Sequence, residues 1–150
     1  MIGIIGAMDE EVEQIVAVMD IEREETKAQM TFKAGKLAGK DVVIVRSGIG
    51  KVNAGICAQI LVDRFGVDTL INTGIAGSLD AQIDIGDMVI STDALHHDMD
   101  ATIFGDPAGQ IPRMDTLSFP ADEKLVKKAV AANELSLIHI SEPTRLGMIS

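Results

Sequence analysis

The segment MIGIIGAMDEEVEQIVAVM, residues 1–19, decides the fold because it joins a short apolar run to an amphipathic helix through a glycine turn. The run Met1–Ile5 is bounded by glycine and is typical of a strand buried on both faces. Apolar residues then recur at helical spacing, at Val12, Ile15, Val16 and Met19. A buried strand followed directly by such a helix predicts an α/β protein.

Three consecutive acids, Asp9, Glu10 and Glu11, stand at the predicted start of this helix. A helix N-terminus at that place usually receives a phosphate, because its free N–H groups and its dipole favour an anion. For Asp9 and Glu10 we favour a structural role, with Asp9 as the N-cap. Glu11 lies four residues before Ile15, on the flank of the apolar stripe, and is a candidate general base. Spacing alone leaves both roles open for Glu11.

A dinucleotide site is the weaker interpretation of the same stretch. The fingerprint G-x-G-x-x-G is absent, since Gly3 and Gly6 lie inside or just after the strand. The three carboxylates would also repel a pyrophosphate.

The following residues continue the alternation of strands and helices. Strands are predicted at Met30–Leu37 and Val42–Arg46, joined by a glycine turn in LAGKD. A helix is predicted at Lys51–Phe65, stopped by Gly66, and a strand at Asp68–Thr73. The pattern predicts an α/β layered fold around a largely buried sheet.

The second half of the chain is less regular. The run IDIGDMVIST, residues 83–92, predicts one more strand. Residues 93–119 carry turn-forming glycines and prolines and predict a long loop, of the kind that binds or covers something. FPADEKLVKKAV, residues 119–130, predicts a capped helix with Leu125, Val126 and Ala129 facing inward.

Composition restricts the function classes. The net charge of −10 would repel nucleic acid and anionic lipid, and 3% aromatic residues leave few platforms for stacked bases. No run approaches the roughly 18 apolar residues of a membrane span. The first residues lack a basic secretory signal, and a single cysteine suits a reducing compartment. We expect a cytoplasmic protein with a small-molecule ligand and no nucleic-acid or membrane partner.

Two glycine-bearing turns follow predicted strands, SGIGK at 47–51 and NTGIAGS at 72–78. Alone, each is best explained as a turn in which glycine permits unusual backbone angles, and SGIGK lacks the spacing of a phosphate-binding P-loop. Together, at strand ends on one side of a sheet, they favour a ligand crevice.

HHDMD, residues 96–100, has the residue types of a metal site, but adjacent histidines point to opposite sides of an extended chain. No matched set of distant ligands accompanies them, so we predict no metal. Cys57 lies among apolar helix residues and is predicted to be a buried, inert thiol.

Five segments, IGIIGAMDEEV, VRSGIGKVNAG, INTGIAGSL, IGDMVIS and HHDMDATIFGDPAGQIP, closely resemble the 5'-methylthioadenosine/S-adenosylhomocysteine nucleosidase family, in the same order. The resemblance covers residues 1–131, somewhat more than half of a family chain. It implies a three-layer α/β/α sandwich around a mixed β-sheet, as in the nucleoside phosphorylase superfamily. It also implies a homodimer and no metal or organic cofactor.

The resemblance implies roles for individual residues. Glu11 matches the catalytic glutamate that activates the attacking water. Met8 matches a residue of the ribose pocket, Ile49 one that touches the 5'-alkylthio group, and Gly77 a backbone contact to the substrate. Ile75 matches a substrate-site position where some relatives have a serine that helps hold the water.

The same resemblance gives the long loop a purpose. Ala101, Phe104 and Pro112 match positions that reach the pocket of the neighbouring subunit in such dimers.

The resemblance implies that the family's downstream half is missing, including the segment whose aspartate protonates the purine. Its place is taken by LSLIHISEPTRLGMIS, which resembles translated adapter sequence. We therefore expect residues 1–134 to be the N-terminal part of a nucleosidase domain. Residues 135–150 are expected to be a non-native tail without function, His139 and Arg145 included.

The expected reaction of the intact family member is hydrolysis of the N-ribosidic bond, and we expect the 150-residue chain itself to be inactive. Two alternatives stay open. One is a phosphorylase that uses inorganic phosphate, and the other is a non-catalytic nucleoside-binding remnant.

Overall fold

The computed structural model describes residues 1–135, which fall into two compact units that divide between Ala76 and Gly77. The elements of the first unit are β1 (Ile2–Gly6), α1 (Asp9–Ala17), β2 (Asp20–Lys27), β3 (Met30–Leu37), β4 (Lys40–Arg46), α2 (Lys51–Phe65) and β5 (Thr69–Asn72). The second unit contains β6 (Asp93–Ala94), a 3-10 turn (Thr102–Phe104), β7 (Phe119–Pro120) and α3 (Glu123–Leu135). The predicted non-native tail lies outside the described residues, apart from Leu135.

The first unit is built on a mixed five-stranded sheet with the order β2-β3-β4-β1-β5. β2, β3 and β4 are antiparallel neighbours, whereas β1 runs parallel to both β4 and β5. The carboxyl ends of β4, β1 and β5 therefore lie together at one end of the sheet. This is the end at which α/β sheets hold their ligands.

Side-chain alternation buries both faces of the central strands. Ile4 and Ile44 face α1, where they pack with Val12. Ile5 and Val45 face the opposite way and pack with residues of α2. The sheet thus has a helix on each face, and the predicted three-layer α/β/α arrangement is confirmed.

The α2 face holds the largest fully buried side chains. Phe32 and Phe65 stack with ring centroids 5.2 Å apart, and Leu61 is completely buried among the same residues. The Arg23 guanidinium lies 5.1 Å from the centroid of the Phe65 ring. This cation–π contact covers the aromatic pair where it approaches solvent.

β2 is absent from the sequence prediction because its sequence, DIEREETK, has no apolar alternation. It is an edge strand with mostly exposed side chains, and such charged edges resist pairing with other chains. A two-residue turn joins it to β3, with positive φ at both Ala28 and Gln29. These angles define a type I′ hairpin turn, which sets the register without glycine.

The predicted boundaries of the other first-unit elements are close to the observed ones. α2 begins and ends as predicted, and Gly66 adopts the left-handed conformation (φ 65°) that closes the helix. The strand predicted at Asp68–Thr73 is one residue shorter at each end.

The second unit departs further from prediction. Residues 83–92 form no strand, and only Met88 makes an isolated bridge. Apart from the bridge at Met88, the described residues provide no neighbouring strand with which this run could pair, and Ile85, Met88 and Val89 are exposed. The loop prediction for residues 93–119 is confirmed except for its terminal pairs and the 3-10 turn. In α3, Leu125 and Val126 are half-buried, but Ala129 is exposed, so its predicted inward orientation is wrong.

Within residues 1–135 the structure has no helix that is long and apolar enough to span a membrane.

Leu61→Ala should lower the free energy of unfolding by about 2–5 kcal/mol, because it leaves a cavity in a side-chain environment with no solvent access. Val62→Ala is the matched control, since Val62 is adjacent on α2 but 46% exposed, and it should cost about 0.5 kcal/mol. Urea denaturation followed by circular dichroism measures both. Equal losses would contradict the assigned packing of α2.

Candidate active site

The Glu11 carboxylate is held by three backbone N–H groups. Oε2 accepts hydrogen bonds from the N–H of Ala7 at 2.6 Å and of Met8 at 3.0 Å. Oε1 accepts one from the N–H of Ile75 at 3.0 Å. The first two donors belong to the turn between β1 and α1, and the third follows β5. One half-buried side chain thus joins the ends of two parallel strands.

These hydrogen bonds lower the pKa of Glu11 below its usual value of 4.5. The Ile75 N–H has the largest effect on this pKa, followed by the Met8 N–H, while partial burial opposes them. Hydrogen bonds donated to a carboxylate stabilise its charged form. Glu11 is therefore an anion at neutral pH.

The carboxylate keeps capacity for a further ligand. An ionised carboxyl group has about four acceptor positions, two on each oxygen. Two N–H groups bind Oε2, whereas Oε1 accepts one N–H bond within the described residues. Oε1 can therefore accept a hydrogen bond from a water molecule while the side chain stays fixed.

Gly74 lets the β5 loop approach the carboxylate. A Cβ atom at this position would lie 2.4 Å from Glu11 Oε1, far inside contact distance. Because the obstructing atom is the end of a flexible side chain, any larger residue would displace the carboxylate rather than the strand. Gly74 is therefore required for the Ile75 N–H to reach Glu11.

Two further backbone contacts align the strand ends. The Ser47 N–H, just after β4, donates to the Gly6 carbonyl at 2.8 Å. The Thr73 N–H, just after β5, donates to the Ile5 carbonyl at 2.9 Å. Both glycine-bearing turns thus begin beside the end of β1, in agreement with their predicted position at strand ends on one side of the sheet, and the ligand crevice predicted there stays a prediction.

The first of these turns shows why it contains glycine. Gly48 and Gly50 have φ angles of 83° and 101°, which side chains rarely allow. The Asn53 amide donates to the Ile49 carbonyl at 2.8 Å and fixes the turn on α2. The prediction that these glycines permit unusual backbone angles is confirmed.

Of the predicted substrate residues in the first unit, Met8 and Ile75 contact Glu11 through their N–H groups. Met8 is half-buried at the N-cap of α1, directly bound to the carboxylate through its N–H. Ile49 is 75% exposed in the turn before α2, and Ile75 is 82% exposed after β5. Their side chains are accessible to a ligand, and their roles in binding remain predictions.

The other predicted residues belong to the second unit, which Gly77 begins. Within it, Ala101 is buried, whereas Phe104 is 84% exposed and Pro112 is exposed. Their placement in a neighbouring subunit's pocket remains a prediction.

The prediction of Asp9 as N-cap is wrong. Met8 is the N-cap, and Asp9 is the first helical residue. The Asp9 carboxylate instead pairs with the Arg46 guanidinium at 3.1 Å, with both side chains largely exposed. The Glu11 carboxylate supplies the capping interaction by accepting the Met8 N–H from three residues ahead.

A cleft of about 380 Å³ lies on the α1 face of the sheet and does not include Glu11. Its charged residues neutralise one another, Asp9 with Arg46 and Glu24 with Lys33. We therefore place the candidate site at Glu11 rather than in this cleft.

Cys57 is completely buried in α2, and desolvation raises its pKa to about 11. A thiol with this pKa stays protonated and unreactive at neutral pH. The prediction of a buried, inert thiol is confirmed. Among residues 1–135, no three or more His, Cys, Asp or Glu side chains are grouped as metal ligands.

Comparison with known proteins identifies the family. The model of the phosphorylase superfamily matches residues 1–149, so the chain belongs to this superfamily. A 5'-methylthioadenosine/S-adenosylhomocysteine nucleosidase from Marinomonas sp. is 49% identical over 131 residues, covering 87% of this chain and 56% of the relative. The chain therefore spans little more than half the length of this relative.

Solved structures show the same likeness. The nucleosidase from Colwellia psychrerythraea, in complex with adenine, superposes with a TM-score of 0.87 at 42% identity, covering 93% of this chain and 57% of that one. The nucleosidase from Neisseria meningitidis, in complex with methylthio-immucillin-A, gives a TM-score of 0.87 at 36% identity, covering 93% and 60%.

Gly74→Ala should raise the pKa of Glu11 toward 4.5, because the new methyl group displaces Oε1 from the Ile75 N–H. Gly55→Ala in α2 is the control, since its Cβ would meet nothing within 4 Å. It should leave the titration of Glu11 unchanged and stabilise the fold by about 0.5–1 kcal/mol. NMR titration of the Glu11 side-chain carboxyl carbon measures both variants. An unchanged midpoint in Gly74→Ala would refute the assigned contact.

Glu11→Gln should destabilise the fold most at neutral pH. Because the pKa of Glu11 is lowered on folding, its ionised form stabilises the protein fully above about 4.5. This contribution is lost as the pH falls below 4.5 through the folded-state pKa. The stability difference between wild type and Glu11→Gln, measured by urea denaturation from pH 7 to pH 3, should therefore shrink on acidification. A constant difference would contradict the assignment.

Proposed function

We propose that this segment, completed to the length of its relatives, hydrolyses the N-ribosidic bond of 5'-methylthioadenosine and S-adenosylhomocysteine. The products are adenine and the corresponding thioribose. The observation that carries the proposal is the Glu11 carboxylate, fixed by three N–H groups with an acceptor position left on Oε1. The names of the compared nucleosidases supply the substrates.

The chemistry suits an anionic, immobilised carboxylate. Cleavage of a glycosidic bond develops positive charge on the sugar, and a water molecule then attacks C1'. Glu11 would orient that water through Oε1 and accept its proton as the C1'–O bond forms. The bond from C1' to the purine nitrogen breaks, and adenine leaves with a proton from a general acid.

We propose that the 150-residue chain is inactive because it lacks a general acid. In the family this chain resembles, an aspartate of the downstream half protonates the purine. General acid catalysis contributes roughly 10²–10⁴-fold in rate. The chain covers 56% of the length of the Marinomonas relative.

Around the attacked carbon, we assign Met8 to the ribose and Ile49 to the 5'-alkylthio group. Ile75 would line the substrate site, and the Gly77 backbone would contact the substrate. The exposure of Ile49 and Ile75 supports the first-unit assignments. The proposed setting is methionine salvage in the cytoplasm.

We also propose a homodimer in which Ala101, Phe104 and Pro112 reach the partner's pocket. The 84% exposure of the Phe104 ring supports this, since a large aromatic side chain gains from burial against a partner, whereas Ala101 is buried within this chain and gives no such support.

A phosphorylase is the less favoured alternative. The N–H groups of Ala7 and Met8, at the start of α1, could have bound phosphate, but the Glu11 carboxylate already occupies them. The same anion would repel a phosphate beside it. The other alternative is a nucleoside-binding remnant without catalysis, which would bind the substrate but release no adenine.

The completed protein should release adenine from 5'-methylthioadenosine without inorganic phosphate. Glu11→Gln in it should lower kcat by about 100-fold or more, because general base catalysis contributes roughly 10²–10⁴-fold. The 150-residue chain should release none. A coupled assay for free adenine measures all three.

Glu10→Gln is the matched control, since Glu10 is the neighbouring carboxylate on the exposed face of α1, and it should keep near wild-type activity. Dependence of turnover on phosphate would identify a phosphorylase. Binding of substrate by the completed protein without turnover would identify a binding module, and either result would refute the proposed hydrolysis.

A further inference from the structure

Ser47 is a polar residue buried at the end of the sheet that carries Glu11. It directly follows β4 and is 5% exposed. Its N–H donates to the Gly6 carbonyl at 2.8 Å, and its Oγ lies 3.3 Å from the same carbonyl and 2.9 Å from that of Gly48. A buried hydroxyl group is expected to be hydrogen-bonded, and here both candidate acceptors are main-chain oxygens.

The carbonyl that Ser47 binds belongs to the same peptide unit as a donor to Glu11. The Gly6 C=O and the Ala7 N–H lie in one rigid plane. The Ala7 N–H donates to Glu11 Oε2 at 2.6 Å, the shortest of the three contacts to the carboxylate. Any rotation of this plane therefore moves the carbonyl away from Ser47 and the N–H away from Glu11 together.

We propose that Ser47 is a positioning residue for Glu11, acting through the Gly6–Ala7 peptide unit. Ser47 holds the carbonyl side of this unit, and the unit presents its N–H to the carboxylate. A hydrogen bond accepted by a carbonyl also polarises the N–H of the same peptide, which strengthens the contact to Glu11. The catalytic meaning of this role rests on the proposed function, but the contact itself does not.

The hydroxyl group matters although the Ser47 N–H is the shorter link to Gly6. Its single proton is donated to the carbonyl of Gly6 or to that of Gly48. Either bond restricts the backbone of Ser47, and that backbone carries the N–H that holds Gly6. Removal of Oγ therefore loosens the peptide unit in both cases.

The test is an NMR titration of the Glu11 side-chain carboxyl carbon in the 150-residue chain. Ser47→Ala should shift the midpoint upward, but by less than Gly74→Ala does, because the Ala7 N–H lowers the pKa of Glu11 less than the Ile75 N–H. Ser47→Thr keeps the hydroxyl group and should restore the wild-type midpoint. Val43→Ala is the matched control, since Val43 is a completely buried residue of β4 on the α2 face and makes neither contact. It should lower stability without moving the midpoint.

An unchanged midpoint in Ser47→Ala would overturn the proposal, and so would equal shifts in Ser47→Ala and Val43→Ala. Should Ser47→Ala fail to fold, Ser47→Cys replaces it, because a thiol of similar size is a weak donor. The expected and overturning outcomes are the same for that variant.

In the completed protein, Ser47→Ala should lower kcat by between about 3-fold and 100-fold with little change in KM, since misplacing a reacting group by 1 Å can cost about 100-fold. The acidic limb of its pH–rate profile should move upward with the Glu11 midpoint. Absence of adenine release from the completed wild type would refute the proposed function alone. The titration would still decide the role of Ser47.

Discussion

The rest of the site depends on the three N–H groups that hold the Glu11 carboxylate. They come from two places far apart in sequence, the turn after β1 and the loop after β5. The contact forms only when the two parallel strands are paired in register, with Ile5 beside Asn72. Pairing of β1 with β5 therefore also brings together the N–H groups that hold the Glu11 carboxylate.

The sheet can support this arrangement because its central strands are packed on both faces. β4 directs Val42 and Ile44 toward α1 and Val43 and Val45 toward α2. All four side chains are almost completely buried. Close packing on both sides limits movement of the strand ends. Preorganised donors that need no rearrangement are what electrostatic catalysis requires.

The sequence predicts the parts of the fold that carry hydrophobic periodicity. β1, β3 and α2 could be predicted because their apolar residues form a continuous run or recur with the period of a strand or a helix. β2 could not be predicted in this way, because a mostly exposed edge strand needs no apolar alternation, and DIEREETK has none. Residues 83–92 show the converse error, since apolar alternation without a neighbouring strand gives no strand.

At the site, the sequence indicates Glu11 through its position on the flank of the apolar stripe. It did not reveal the Ile75 N–H, because contacts between backbone groups and a distant side chain leave no pattern in one sequence. The assignment of Asp9 as N-cap failed for a related reason. Capping preferences favour aspartate, but the reach of Glu11 back to the Met8 N–H already satisfies the helix start.

Main-chain donors have a consequence for how this site can vary. Every non-proline residue carries an N–H, so the side chains at positions 7, 8 and 75 can change without loss of a hydrogen bond to the carboxylate. Isoleucine at position 75 therefore donates the same N–H hydrogen bond to Glu11 that a serine there would donate. Tolerance at these positions coexists with strict demands on the glutamate and on Gly74, so the neighbouring side chains can diverge while the Glu11 carboxylate stays in place.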